Sequence, residues 1–142
     1  MPFHLSAPEY AALLFTAGCS LTDLQTLEIH LPFCGAFLIL GAASSIVSGE
    51  SLPETVFSLL PGIVLLWIAF ISKGAVGGGD GVVVLITGLF LGFSLTLASS
   101  AAGILLAGCY AGFCLFTGRF NRASFPFLPF LFAGECLVLL LK

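Results

Sequence analysis

The sequence predicts an all-α membrane protein, a compact bundle of about six transmembrane helices. Of its 142 residues, 59% are hydrophobic and only 8% are charged, whereas soluble domains carry about 25% charged residues. Because a transmembrane helix needs about 20 apolar residues, this length allows about six closely linked spans. We therefore treat residues 1–142 as a single domain embedded in a lipid bilayer. The chain has four Lys and Arg residues and no basic stripe, so no nucleic-acid partner is expected.

Six apolar segments define the predicted helices. They run from Pro8 to Leu21, His30 to Val47, Leu52 to Ile71, Gly81 to Ala98, Ser100 to Thr117 and Pro126 to Leu141. We place the boundary between the fourth and fifth segments at Ser99-Ser100, because the 37 residues from Gly81 to Thr117 are too many for one span. Small residues such as Ala101-Ala102-Gly103 let helix backbones pack closely, which favours a tight bundle.

The few charged residues predict which helix ends face the cytoplasm. Lys73, Arg119 and Arg122 follow the third and fifth segments, and basic residues in short loops mark the cytoplasmic side. If all six segments span the membrane, the loops on that side include the one with Asp23, and Asp80 lies at the same level. The two aspartates are thus predicted to meet at the cytoplasmic face.

A glycine-rich motif carries a single carboxylate, Gly77-Gly78-Gly79-Asp80, directly before an apolar run. An ionisable group beside hydrocarbon is costly and indicates a functional site, and glycines allow another backbone to come close. We expect Gly77, Gly78 and Gly79 to form a loop along which a peptide substrate lies beside Asp80. The structural alternative is that Asp80 is merely the N-cap of the fourth helix, behind a simple glycine turn.

Asp23 lies just after the first apolar segment, 57 positions before Asp80. Two aspartates brought together do not both ionise easily, so they share a proton. The ionised one can take a proton from water while the protonated one hydrogen-bonds a scissile carbonyl. This pair predicts peptide hydrolysis without a cofactor or a metal. The structural alternative for Asp23 is the capping box Thr22-x-x-Gln25 at the start of an interfacial helix.

The five cysteines do not indicate a metal site or a disulfide framework. They are Cys19, Cys34, Cys109, Cys114 and Cys136, and no two of them form a C-x-x-C pair. Free cysteine behaves as a small apolar residue. We expect all five to be packing residues of the bundle.

The paired motifs resemble those of the type IV prepilin peptidases, which have a Gly-x-Gly-Asp sequence at the start of one membrane helix and an earlier aspartate at the end of another. The resemblance continues through Gly88 and Gly92 to residues 125–131, which are similar to the family's Pro-Phe-x-Pro-Phe-Leu segment. It implies an aspartic endopeptidase of the prokaryotic cytoplasmic (inner) membrane. Asp23 and Asp80 would be the catalytic pair, and Gly77 to Gly79 would present Asp80.

The same resemblance implies the substrate. Family members remove the short basic leader of prepilin-like or pseudopilin proteins, usually after a glycine and just before a hydrophobic helix, and they serve type IV pili and protein secretion. Larger members add a methylating domain with paired C-x-x-C motifs. This chain shows no such pairs, so it resembles a minimal form with the peptidase alone.

Four positions depart from the family pattern. Val82 stands where the family often has a Lys after the second aspartate, and Gln25, Leu27 and Glu28 replace basic positions after the first. The departures indicate either an altered substrate preference or a catalytically degenerate relative.

A transporter is the alternative from another functional class, because intramembrane acids also relay protons or bind cations. A transporter needs its acids near the midplane, whereas Asp23 and Asp80 are predicted at one interface. Glu135, inside the last apolar segment, has no role that the sequence defines.

Overall fold

The computed structural model describes residues 5–26, 31–72, 77–117 and 126–142. Its elements are α1 (Ala7–Thr26), α2 (Leu31–Val47), α3 (Leu52–Ile71), α4 (Gly78–Phe116) and α5 (Leu128–Leu141). Every element in these ranges is a helix, which confirms the all-α prediction. By length and apolar composition, α3 and α4 can cross a membrane, so the count of six spans stays a prediction. Lys73, Arg119 and Arg122, on which the predicted orientation depends, lie outside the described residues.

Helix α3 begins and ends where the sequence predicts. Ser51 precedes it, and the Glu54 carboxylate accepts the Ser51 N–H at 2.9 Å. This contact satisfies one of the N–H groups that a helix start leaves without a partner. Helix α1, in contrast, extends five residues beyond its predicted end, to Thr26. Asp23 therefore lies within the last turns of α1 and not in a loop.

The predicted boundary at Ser99-Ser100 is wrong, because α4 continues through both serines. The backbone leaves the helical conformation at Gly92 instead, with φ 73° and ψ 175°, which is a region that glycine enters at little cost. The two serines are buried and their helix is unbroken there. A serine is a weak helix breaker compared with a glycine that can take a positive φ.

The chain reverses direction at Gly92. Asp80 and Gly108 line the same cavity, although they are 28 positions apart and would be separated by roughly 42 Å in a straight helix. Helix α4 therefore consists of two arms. The first arm is 78–91 and the second arm is 93–116.

The first arm packs against α3 with almost no space between the backbones. A Cβ atom at Gly62 would collide with the backbone of Leu85, and one at Gly88 would collide with the carbonyl oxygen of Ser58. Glycines at such positions allow helices to approach where apolar burial provides little driving force. The register of these contacts makes α3 antiparallel to the first arm.

Helix α5 runs antiparallel to α1 and also packs on the second arm. The backbone N–H of Leu128 donates to Asp23 at one end, and Lys142 pairs with Glu9 at the other. On another side of α5, a Cβ atom at Gly134 would lie 2.7 Å from the Ser99 carbonyl oxygen. Helix α5 thus connects the first helix of the chain with the second arm.

The apolar core lies between α1, α2, the first arm and α5. Its buried members include Phe15, Cys34, Val83 and Leu128. Phe15 also stacks on Phe37 of α2, with ring centroids 4.9 Å apart. This core holds the C-terminal end of α1 next to the N-terminal ends of α4 and α5.

Candidate active site

Asp23 is buried at the end of α1 and has a defined hydrogen-bond partner. Its side chain is only 8% exposed, and Oδ2 accepts the backbone N–H of Leu128 at 3.2 Å. Leu128 is the first residue of α5, where helical N–H groups have no partner within the helix. A carboxylate is favourable at that end of a helix dipole. The start of α5 therefore holds Asp23 in place.

Asp80 lies in the first turn of α4, where the chain enters the first arm. Its backbone N–H donates to the Gly77 carbonyl at 3.1 Å, and its carboxylate folds back over Gly77. A Cβ atom at Gly77 would lie 2.9 Å from Asp80 Oδ2, so a side chain there would displace the acid. The glycine at position 77 is thus required by this close approach.

The structure corrects two details of the predicted glycine motif. Gly77 is the N-cap residue of α4, so Asp80 is not the N-cap. Gly78 and Gly79 belong to the first turn of the helix and do not form a loop. The segment before them, residues 73–76, lies outside the described residues.

The structure brings the two predicted aspartates together. The Asp23 carboxylate is close enough to Asp80 to act on it electrostatically. Phe127 lines the cavity that contains Asp80 and directly precedes Leu128, the donor to Asp23. The ends of α1, α4 and α5 therefore meet around one pair of acids.

The alternative explanation of Asp23 as part of a capping box does not fit its position. Thr22 lies near the C-terminal end of α1, and its hydroxyl donates to the Cys19 carbonyl of the preceding turn at 2.9 Å. A capping box requires the start of a helix. Asp23 instead faces into the bundle.

An apolar cavity of about 450 Å³ adjoins Asp80. Its walls include Leu65 and Ile68 from α3 and Ala107 and Gly108 from the second arm. Sequence reasoning did not single out these four residues. The only signal was the run of small residues in the fifth segment, and it became informative once the reversal at Gly92 placed that segment beside Asp80.

The departures from the family pattern that the structure describes are exposed positions. Gln25 is exposed near the end of α1, and Val82 is exposed on the first arm. Leu27 and Glu28 lie outside the described residues.

Glu135 belongs to a different part of the bundle. It is completely buried, and among the described residues neither carboxylate oxygen has a hydrogen-bond partner. Seven residues separate it from Leu128, which is roughly 10 Å along a helix. Thr16 of α1 lies beside it. Glu135 is thus near the middle of α5 and away from the two aspartates.

The cysteines show no metal-binding arrangement in the described part of the chain. Cys19 and Cys34 are buried, Cys109 is exposed, and none of the five forms a disulfide. No group of three His, Cys, Asp or Glu side chains could hold a metal ion within the described ranges.

These features define a class of protein. Its members are all-helical bundles with apolar, membrane-type helices, and two acids that are distant in sequence pair at one end of the bundle. The chain matches the type IV leader peptidase family over residues 10–112, and it belongs to that family. This confirms the resemblance seen in the motifs. Both aspartates and the reversal at Gly92 lie within the matched region.

A curated relative supports the same assignment. The chain is 30% identical over 117 residues to the prepilin leader peptidase/N-methyltransferase of Bacillus subtilis (strain 168). The match covers 82% of this chain and 45% of that protein, so the chain spans less than half the length of its relative. No solved structure matches the chain.

Proposed function

We propose that this protein is a membrane aspartic endopeptidase that cleaves the leader peptide of prepilin-like proteins, with Asp23 and Asp80 as its catalytic pair. The observation that carries the proposal is the convergence of these two acids, which are 57 positions apart in sequence and electrostatically coupled in the fold. Membership of the type IV leader peptidase family supports the reaction class.

The mechanism requires one proton shared by the pair. The ionised carboxylate takes a proton from a water molecule as that water attacks the scissile carbonyl carbon, and the protonated carboxyl donates a hydrogen bond to the carbonyl oxygen. When the C–N bond breaks, the leaving nitrogen receives a proton from the acid that gained one. Both aspartates then return to their original combined protonation state.

Glycines 77 and 78 have different roles in this proposal. Gly77 leaves space for the Asp80 carboxylate, as described above. A Cβ atom at Gly78 would meet no described atom within 4 Å, so the backbone there is open to a substrate chain. A peptide that passes Gly78 would place its scissile bond beside Asp80.

We place the site at the cytoplasmic face of the inner membrane of a prokaryote. The six spans would be α1, α2, α3, the two arms of α4 and α5. The paired acids then lie at one end of the bundle, as the distribution of basic residues in the sequence predicts. The leaders of prepilin-like and pseudopilin substrates, which serve type IV pili and protein secretion, would meet the enzyme on that side.

The exposed departures favour an altered substrate preference over loss of activity. Val82 and Gln25 lie on the surface and do not touch the hydrogen bond that holds Asp23. Loss of basic groups at these positions changes the electrostatic field around an approaching leader peptide, but it leaves Asp23 and Asp80 in place. We therefore propose an active enzyme with a changed leader preference.

Proton or cation transport is the second candidate function, because Glu135 is buried near the middle of the bundle. Intramembrane acids at such a depth are typical of proton relays. Under this alternative, Glu135 would be essential and leader cleavage would be absent.

The direct test is cleavage of a co-expressed prepilin-like protein, followed as a gel shift. Wild type is compared with Asp23→Asn and Asp80→Asn, with Glu50→Gln as the control because Glu50 is an exposed acid on the α2–α3 turn. We expect cleavage by wild type and Glu50→Gln and none by the two aspartate variants at equal membrane levels. Cleavage that survives in Asp80→Asn would overturn the proposed mechanism.

A further inference from the structure

A long apolar groove leads away from Asp80 along the surface of the bundle. Two adjoining cavities form it, with volumes of about 450 and 420 Å³. Helix α3 provides one wall and the second arm provides the other, and Leu65, Ile68 and Ile104 line both cavities. Among the described residues that line the groove, Asp80 alone is ionisable, and it stands at one end.

The groove is about as long as a membrane-spanning helix. Along the second arm it extends from Ala111, near Asp80, to Phe93, next to the reversal at Gly92. These residues are 18 positions apart, which is roughly 27 Å in a helix. The hydrocarbon core of a bilayer is about 30 Å thick. An apolar helix of similar length would therefore fit the groove from end to end.

The two walls suit a helix as the occupant. The second arm contributes the small residues Ala101, Ala107 and Gly108, and small residues let two helix backbones approach closely in a membrane. A Cβ atom at Gly108 would meet no atom of the described residues within 4 Å, so the space above this wall is open. The α3 wall presents branched apolar side chains, with Val64 48% and Ile68 43% exposed.

We propose that this groove binds the hydrophobic helix that follows the cleavage site of a prepilin-like substrate. The inference rests on the proposed function and specifies where that substrate lies. A helix seated between α3 and the second arm would end against Asp80. The peptide bond just outside its end would then meet the two carboxylates.

The charges at the end of the groove agree with this placement. Of the described residues that line the groove, Asp80 is the ionisable one at its mouth, and the Asp23 carboxylate acts on it electrostatically. An apolar helix seated in the groove faces apolar walls, and a leader that extends beyond that helix reaches the two acids. The distance that the substrate helix extends into the groove would thus determine which peptide bond is cut.

Photo-crosslinking tests occupancy directly. A photoreactive phenylalanine analogue is introduced at Gly108 or Ala101 of the Asp80→Asn variant, with Gly35 and Ala42 of α2 as control positions. Gly35 has open space around its Cα, and Ala42 is exposed. The probe is a fusion with a basic leader, a glycine and an apolar helix of about 18 residues. We expect the groove positions to crosslink to that helix at least about tenfold more than the controls, because a seated partner holds the reacting groups in contact.

Cleavage kinetics give the second readout. Gly108→Phe and Ala101→Phe fill the groove, and Gly35→Phe and Ala42→Phe are the matched controls. We expect the groove variants to lose cleavage of the fusion by about tenfold more than cleavage of a short soluble leader peptide without the helix, because only the fusion relies on the groove for orientation. The control variants should cleave both substrates at the wild-type rates.

The possible outcomes separate the two proposals. Crosslinks to lipid alone, equal crosslinking from α2, or equal losses for both substrates would overturn the groove assignment. A wild-type protein that cleaves neither substrate would overturn the proposed function, and the crosslinking pattern would still decide whether the groove binds the helix.

Discussion

The carboxylate of Asp23 accepts the backbone N–H of Leu128 at 3.2 Å, over a sequence separation of 105 residues. This contact joins the C-terminal end of α1 to the start of α5 and fixes the position of one member of the aspartate pair. It also satisfies an N–H group that the helix itself leaves without a partner. The same carboxylate thus makes a structural contact and has a proposed chemical role. Different substitutions of Asp23 can separate the effect on stability from the effect on activity.

Asp23→Asn and Asp23→Ala should differ in stability and agree in activity. The asparagine side-chain oxygen can still accept the Leu128 N–H, whereas alanine leaves this buried donor without a partner, at a cost of about 1–3 kcal/mol. Neither variant should cleave a leader. Denaturant unfolding in detergent micelles, together with the cleavage assay, measures both effects. Equal stability of the two variants would show that the hydrogen bond contributes little.

Gly77→Ala should impair cleavage, and Gly35→Ala in α2 should not. A Cβ atom at position 77 would lie 2.9 Å from Asp80 Oδ2, whereas one at position 35 would meet no described atom within 4 Å. Since a displacement of about 1 Å in a catalytic group can cost about 100-fold in rate, we expect a loss of at least about tenfold for Gly77→Ala. Steady-state cleavage rates at matched protein levels provide the measurement. Similar rates for both variants would contradict the inferred contact between Gly77 and the acid.

Gly92→Ala should destabilise the bundle, because φ 73° and ψ 175° at this residue lie in a region that alanine enters at a cost of about 1–3 kcal/mol. Gly112→Ala is the control, since Gly112 lies within the second arm and has open space around it. That control should be neutral or stabilising by up to about 1 kcal/mol, from helix propensity. Thermal unfolding in micelles compares the two. An unchanged melting temperature for Gly92→Ala would argue against the reversal at this position.

Glu135→Met should raise stability and leave leader cleavage intact. Glu135 is fully buried, and within the described ranges its carboxylate oxygens have no hydrogen-bond partner. Replacing a buried polar group without partners by an apolar side chain of similar shape removes a cost of about 1–3 kcal/mol. Unfolding midpoints and cleavage rates are measured together. Loss of cleavage in this variant at an unchanged membrane level would contradict the prediction and give Glu135 a role in the peptidase reaction.

The sequence alone determined the helical class, most helix positions and the two candidate acids. Apolar runs without charges define helices in a bilayer, because every backbone polar group must then be satisfied within its own segment. For this reason the bounds of α3 followed directly from composition. Asp80 behind its glycines was likewise conspicuous, since few ionisable groups occur in so apolar a chain.

Only the tertiary structure decided which distant residues meet. The apolar pattern does not show whether the chain reverses at Gly92 or at Ser99-Ser100, since both positions lie inside one continuous apolar run. The position of the reversal depends on backbone conformation. The groove between α3 and the second arm, and the hydrogen bond from Leu128 to Asp23, arise from packing between helices far apart in sequence. Such packing depends on shape complementarity between whole helix faces, which no local pattern in the chain encodes.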